Sequence, residues 1–173
     1  MKQHSGMRPH DVVVLMKIAA KGSQNWFMKD LSHELGISAS EISESINRSV
    51  IAELIAYDKK KLMKLNLLDF LYYGLRYVYP QQPGALVRGV ATAHSAKPLS
   101  KIIVSEEPYV WPYGHGMVRG QAITPLHPNV PEAALKDENF YALMALVDAL
   151  RVGRAREKEL AIKELKKRIL DGK

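Results

Sequence analysis

The sequence predicts a mainly α-helical fold in three parts, and the placement of proline, glycine and apolar residues supports this division. Eight of the nine prolines and five of the eleven glycines lie between Pro80 and Pro131, where regular helix is largely excluded. Apolar residues recur with helical spacing before and after this stretch. We therefore expect a helical domain over residues 7–79, an irregular but ordered Pro/Gly-rich segment over 80–131, and a C-terminal helical segment over 132–173.

The overall composition is that of a folded protein and excludes several classes of function. The chain has 173 residues, of which 47% are hydrophobic, and this is enough for one compact core. It contains no cysteine, so a disulfide framework or a thiolate zinc site is excluded. Neither a membrane-spanning apolar run nor the apolar core of a signal peptide is found, and we expect a cytoplasmic protein.

Two short helices are predicted near the N-terminus. The first covers about residues 9–21, because proline suits the first turn of a helix and Gly22 stands where a helix commonly ends. The second covers about residues 27–35 and is followed by Gly36, which suits a left-handed turn.

A third helix is predicted to begin at Ser38, where Ser38 and Glu41 have the spacing of a capping box. Its apolar residues form one narrow stripe: Ile42, Ile46, Val50 and Leu54. The opposite face carries small or hydrogen-bonding side chains: Ser40, Ser43, Glu44, Asn47 and Arg48. A helix of this kind can enter the major groove of DNA and contact base edges.

The stretch LSHELGISASEISESINRSV resembles the helix-turn-helix of winged-helix bacterial transcription regulators, particularly the MarR-like ones. The resemblance covers about residues 7–66 and implies a winged helix-turn-helix fold that binds double-stranded DNA. The residues that carry it are Leu31, Leu35, Gly36, Ile37, Ile42 and Ile46. The positions that it places in the major groove are Ser38, Ala39, Ser40, Ser43, Glu44, Asn47 and Arg48.

A short β-wing is predicted after the third helix, with strands at residues 55–57 and 61–63 joined by a turn at 58–59. Its lysines, together with the net charge of +7, favour phosphate contacts, although a solvated turn is the alternative interpretation of the same residues. Glu53 stands where the family often has glycine, and Glu44 must accept from a cytosine amino group to be tolerated there. The lysines of the wing are Lys59, Lys60, Lys61 and Lys64.

The middle segment is expected to pack on the helices through Tyr109, Trp111 and Tyr113, with the apolar run 102–104 also buried. Arg88 and Arg119 are expected to bond to backbone carbonyls or to an acidic partner. A pocket for a small-molecule effector or a partner protein is the alternative interpretation of this segment.

No enzymatic or metal-binding pattern emerges from the middle segment. The chain has no nucleophile elbow, phosphate-binding loop or Gly-x-Gly-x-x-Gly sequence. His94, His115 and His127 are far apart in sequence, with few nearby carboxylates, so we expect neither a metal nor a cofactor, and we expect His94 to be neutral and hydrogen-bonded.

Two C-terminal helices are predicted, one capped by Asp137 and ended by Gly153 and the other over about residues 154–170. The first carries an apolar seam that can complete the core of one chain or pair two chains. Because DNA regulators usually dimerise to match two half-sites, a homodimer is favoured. The seam residues are Phe140, Leu143, Val147 and Leu150.

These observations favour a sequence-specific DNA-binding transcriptional regulator, with the third helix in the major groove and the lysine-rich wing on phosphates. The alternative from another class is a protein-interaction module, such as an adaptor or an antitoxin-like partner, that uses a winged-helix scaffold without binding DNA.

Overall fold

Eight α-helices and three short strands build the part of the chain that the computed structural model describes, residues 6–172. Among these residues no helix is long and apolar enough to cross a membrane. The helices are α1 Pro9–Ala20, α2 Met28–Leu35, α3 Ala39–Ile51, α4 Lys64–Tyr73, α5 Leu75–Val78, α6 Val130–Leu135, α7 Glu138–Val152 and α8 Ala155–Asp171. The strands are β1 Leu86–Ala91, β2 Tyr109–Pro112 and β3 Val118–Ala122. The prediction of a mainly α fold is confirmed at this level.

Both ends of α1 and α2 and the start of α3 lie within one residue of their predicted positions, because local capping determines them, whereas α3 ends at Ile51, before the last residue of its predicted stripe, Leu54. The carboxylate of Asp11 accepts a 2.8 Å hydrogen bond from the backbone N–H of Arg8 at the start of α1. Gly36 closes α2 with a φ of 65°, in the left-handed region. Ser38 Oγ accepts from the backbone N–H of Glu41 at 3.3 Å and caps α3.

The middle segment is not irregular throughout, since it contains a closed three-stranded sheet. Strand β1 pairs antiparallel with both β2 and β3, and β2 pairs parallel with β3. The closure brings backbones so close that a Cβ atom on Gly89 would lie 1.9 Å from the carbonyl oxygen of Trp111. A Cβ atom on Gly120 would lie 2.4 Å from the carbonyl oxygen of Pro108. The glycines that argue against helix here are therefore the residues that permit the sheet.

A buried carboxylate on α7 holds the sheet in place. Asp148 is fully buried, and its Oδ2 accepts from Trp111 Nε1 at 2.5 Å and from Thr92 Oγ1 at 2.8 Å. Arg151 Nη1 donates to Asp148 Oδ1 at 2.9 Å. Burial raises the pKa of Asp148, while the hydrogen bonds from its three partners act in the opposite direction. The carboxylate thus links α7 to β2 and to the residue that follows β1.

Arg151 extends this linkage to two more parts of the chain. Its Nε donates to the carbonyl oxygen of Tyr79 at 3.1 Å, and its Nη1 donates to that of Thr124 at 3.2 Å. These carbonyls follow α5 and β3, so one guanidinium connects the N-terminal helices, the middle segment and α7.

The apolar seam of α7 lies inside the chain's own core, so its assignment to an intersubunit interface is wrong. Helices α1, α5, α6 and α8 all contact α7. The periodicity alone does not distinguish these two environments, because a helix packed within a chain and a helix packed between chains need the same spacing. The seam residues Phe140, Leu143, Val147 and Leu150 are exposed by 0%, 3%, 0% and 2%.

Other expectations for the middle segment have mixed outcomes. Trp111 is fully buried, but Val104 is 98% exposed, so the expected burial of the run 102–104 is wrong. Arg88 and Arg119 are exposed and lie directly opposite each other in β1 and β3. Within residues 6–172 neither guanidinium forms a hydrogen bond or ion pair, contrary to expectation. His94 is buried, and its Nε2 lies 3.3 Å from the carbonyl oxygen of Glu107, in agreement with the expected hydrogen bond.

We predict that Asp148→Ala strongly destabilises the fold. The change leaves the buried donors of Thr92, Trp111 and Arg151 without their acceptor, so the free energy of unfolding should fall by about 3–5 kcal/mol. Urea denaturation followed by tryptophan fluorescence measures this difference.

A matched control is Glu132→Ala, which breaks a salt bridge to Lys136 whose side chains are 60% and 71% exposed. That change should cost at most about 0.5 kcal/mol. Equal unfolding midpoints for the two variants would contradict the importance of the buried carboxylate.

Candidate nucleic-acid interface

Helix α3 packs on the core through its inner face, and its outer face is accessible. Ile42 and Ile46 are completely buried against the other helices. The outward positions carry small or polar side chains, as a groove-binding helix requires. Of the predicted contact residues, Ser38, Ala39, Ser40 and Glu44 are exposed, and Ser43 and Asn47 are half-buried.

The turn between α2 and α3 is braced from within and from the C-terminal half of the chain. Ser32 Oγ donates to the carbonyl oxygen of Ile37 at 2.6 Å. Asn129 Nδ2 donates to the carbonyl oxygen of Gly36 at 2.9 Å and to that of Leu35 at 3.3 Å. Nothing in the local sequence indicates this role for Asn129, which lies 93 residues from Gly36. The brace fixes the turn that orients α3.

Arg48 does not lie on the outer face of α3, and its predicted contact with the major groove is corrected by the structure. Its Nε donates to Oδ2 of Asp11 and its Nη2 donates to Oδ1, both at 2.8 Å. Asp11 is fully buried, and the side chain of Arg48 is only 9% exposed. The hydrogen bonds to Asp11 raise the pKa of Arg48. The residue therefore ties α3 to the start of α1.

A layer of polar side chains surrounds this ion pair. Arg48 Nη2 lies 3.2 Å from His10 Nε2, and the His10 ring is 6.3 Å from that of His127. Burial, with the nearby His10, lowers the pKa of His127, whose Nδ1 accepts from the backbone N–H of Asn129 at 3.1 Å. Burial also raises the pKa of Tyr79 to about 12. The neutral forms of His127 and Tyr79 are therefore favoured near the Asp11–Arg48 pair.

A hairpin follows α3 at the predicted position, but its strands are shorter than expected. Ile55 and Leu62 form one isolated antiparallel bridge, where strands of three residues each were predicted. The backbone N–H of Ala56 donates to the carbonyl oxygen of Lys61 at 2.8 Å. Lys59 adopts a φ of 60° at the tip. The classification of this element as the wing of a winged helix stays a prediction.

One lysine of the hairpin contacts the outer face of α3. Lys59 Nζ donates to Asn47 Oδ1 at 2.7 Å and so connects the hairpin to α3. Within the described part of the chain, none of these lysines forms an ion pair. The exposed lysines of the group are Lys59, Lys60, Lys61 and Lys64. The structure thus places an uncompensated positive charge next to the small polar side chains.

A crevice of about 1960 Å³ lies between the hairpin, α1 and the start of α7, and all four exposed lysines of the hairpin group line it. Lys17 lies at its base, 2.6 Å from Asp137 and 3.2 Å from Glu34. Burial tends to raise the pKa of both carboxyls, but their hydrogen bonds with lysine lower it overall. These acidic groups are therefore neutralised locally, and the charge of the hairpin lysines is not.

Glu53 occupies a backbone conformation that favours glycine. Its φ is 59°, in the left-handed region where a β-carbon is strained. Its carbonyl oxygen accepts from Asn66 Nδ2 at 2.8 Å, which ties this turn to α4. The turn after α3 is thus left-handed at residue 53.

The histidines of the middle segment do not come together. His94 packs edge-on against Tyr109 at 4.5 Å, and His115 does so against Tyr113 at 5.8 Å. Between residues 6 and 172 no group of three or more His, Asp or Glu side chains is placed to hold a metal ion.

Comparisons of the chain with protein-family models, curated proteins and solved structures gave no match. The arguments for function therefore depend on the geometry and charge of the surface.

We predict that Arg48 contributes to stability and that Asn47 does not. Arg48→Met leaves the carboxylate of Asp11 buried without its cation and should reduce the free energy of unfolding by about 3–5 kcal/mol. Asn47→Ala removes a half-buried surface amide and should change it by about 0.5 kcal/mol or less. Chemical denaturation of both variants makes the comparison, and an Arg48→Met variant as stable as wild type would contradict the buried ion pair.

We also predict that Glu53→Gly stabilises the protein. Removal of the β-carbon relieves the left-handed strain and should add about 1 kcal/mol to the free energy of unfolding. The control is Glu44→Gly in the middle of α3, which should instead lower the free energy of unfolding by roughly 1 kcal/mol. Destabilisation by both changes would show that residue 53 is not strained.

Proposed function

We propose that the protein is a sequence-specific transcriptional regulator that binds double-stranded DNA, with α3 in the major groove and the hairpin lysines on phosphates. One observation carries the proposal. The hairpin and the start of α4 expose four lysines that form no ion pair within residues 6–172, and the 2.7 Å hydrogen bond from Lys59 to Asn47 joins this basic hairpin to the small polar face of α3. Phosphate contacts by one element and base contacts by the other are the usual division of roles in DNA recognition.

The side chains on α3 suit the major groove in size and chemistry. A groove about 12 Å wide admits a helix whose outward residues are small, such as Ala39, Ser40 and Ser43. Asn47 is the best candidate for a base contact, because an amide pairs with the N6 and N7 atoms of adenine. Its bond to Lys59 must be exchanged on binding, and this frees the lysine for a phosphate.

The charge distribution supports the same proposal. The chain carries a net charge of +7, and the hairpin group has four lysines and one acidic residue, Asp58, with no ion pair to these lysines within residues 6–172. Lysines that replace counterions on DNA give binding that weakens steeply as salt increases. Such contacts position the protein on a duplex but do not select a sequence.

A protein-interaction module is the second candidate, and one observation favours it. Glu41 and Glu44 are both exposed on the face of α3 that approaches DNA, where carboxylates repel phosphates. If these side chains face a basic partner protein instead, α3 is a protein-binding surface.

We predict that the triple change of Lys59, Lys60 and Lys61 to Ala weakens binding to all duplexes alike. The slope of log affinity against log salt should fall in magnitude by about 2–3, because each lost phosphate contact removes roughly 0.9. Fluorescence anisotropy with duplexes of several sequences over a salt series provides the measurement. The matched control is the triple change of Lys163, Lys166 and Lys167 to Ala, which removes the same charge from the exposed side of α8.

Base reading by α3 is tested on duplexes selected by the wild-type protein from a random pool. Asn47→Ala should lose about 1–3 kcal/mol of preference for the selected sequence over a scrambled one. Affinity that does not depend on salt, or no duplex binding at low salt, would count against the DNA proposal and favour the interaction module.

A further inference from the structure

Helices α4 and α5 follow one another with Gly74 between them, and both expose large apolar side chains. Leu65 is 69% exposed, Tyr73 69% and Tyr77 74%. Tyr72 is 36% exposed, and its ring centroid lies 4.8 Å from that of Tyr73. The opposite face is the one that packs on the core, through Leu67, Leu68, Leu71 and Leu75.

The apolar surface exposed on α4 and α5 is as large as the largest patch of a typical monomer. Four large side chains at these exposures present roughly 400 Å² in total, which is comparable to the largest patches found on monomeric proteins. Such patches commonly mark interaction sites. The face has no excess of positive charge for DNA, since beyond Lys64 it carries one acidic and one basic residue, Asp69 and Arg76.

The charges on this face are complementary to those of a second copy of the same face. Asp69 and Arg76 are seven residues apart, about 10 Å along a helix, with Tyr72 and Tyr73 between them. Neither charge has an ion-pair partner among residues 6–172, and Arg76 lies over the Tyr77 ring at 5.3 Å. In an antiparallel pair related by a two-fold axis near Tyr72 and Tyr73, Asp69 of each copy meets Arg76 of the other.

We propose that the outer face of α4 and α5 is a homodimer interface whose occupant is a second copy of this chain. A two-fold contact buries the tyrosines of both copies against each other and forms two equivalent ion pairs. The apolar area is at the low end for stable complexes, so the dissociation constant should be on the order of 10 µM. The proposal does not depend on DNA binding, and it replaces the α7 seam, which is buried, as the dimer surface.

The test is sedimentation velocity of the full chain without DNA, over a range of protein concentrations. Asp69→Arg places two arginines at each of the two contacts, and Arg76→Asp places two aspartates there. Each single variant should associate at least about tenfold more weakly than wild type, since like charges then oppose each other. The double variant, which exchanges the two charges, should recover the wild-type association.

A mixture of the two single variants provides the sharpest test. Asp69→Arg and Arg76→Asp chains together restore an Arg–Asp pair at both contacts, so the mixture should form a heterodimer that neither variant forms alone. This result follows only from a two-fold contact between residues 69 and 76. Asp58→Arg and Arg156→Asp, at exposed positions outside α4 and α5, are the charge controls and should leave association unchanged.

Three results would overturn the proposal. The first is a wild-type chain that stays monomeric at a concentration about ten times the expected dissociation constant. The second is single variants that associate as well as wild type. The third is a mixture of the two single variants that does not associate. Far-UV circular dichroism verifies that each variant is folded. Because no DNA is present, none of these results bears on the proposed DNA binding.

Discussion

The buried carboxylate of Asp148 is the group on which the arrangement of the chain depends most. It accepts hydrogen bonds from Trp111, Thr92 and Arg151, and a carboxylate without such donors is very costly in a protein interior. The sheet and α7 must therefore be in register with each other before either is stable. Arg151 then makes the position of α5 depend on the same group, through the carbonyl oxygen of Tyr79. The Pro/Gly-rich segment is in this way part of the core and not a linker.

A second buried ion pair, between Asp11 and Arg48, has a corresponding role in the N-terminal helices. Because Arg48 points inward, rotation of α3 about its axis is restricted, and Ser43, Glu44 and Asn47 are left facing outward. Buried pairs of this kind add little net stability compared with apolar packing, but they penalise every arrangement in which the partners separate. The ion pair with Asp11 thus keeps Arg48 out of the candidate interface and also determines which other residues of α3 face outward.

Local signals in the sequence were sufficient for most of the helices, although not for α6, and insufficient for the contacts between them. Gly36, Ser38 and Asp137 each determine a helix end through a hydrogen bond or a backbone angle within a few residues. The pairing of Arg48 with Asp11, 37 residues away, has no local signature, and neither has the sheet, whose strands are short and interrupted by glycine. Helical spacing placed Arg48 next to the exposed stripe, and only its distant partner turns it inward.

The two surfaces proposed for DNA and for a second copy are connected through α4. Lys64 begins this helix at the end of the hairpin, and the tyrosines lie about two turns further on. In an antiparallel dimer centred near Tyr72 and Tyr73, the two copies of Lys64 are separated by about 25 Å along the helix axes. Half-sites on DNA repeat at about 34 Å, a distance of the same order as this separation. The proposed dimer therefore places the two lysine-rich hairpins at a separation comparable to one turn of the double helix, which the buried seam of α7 does not do.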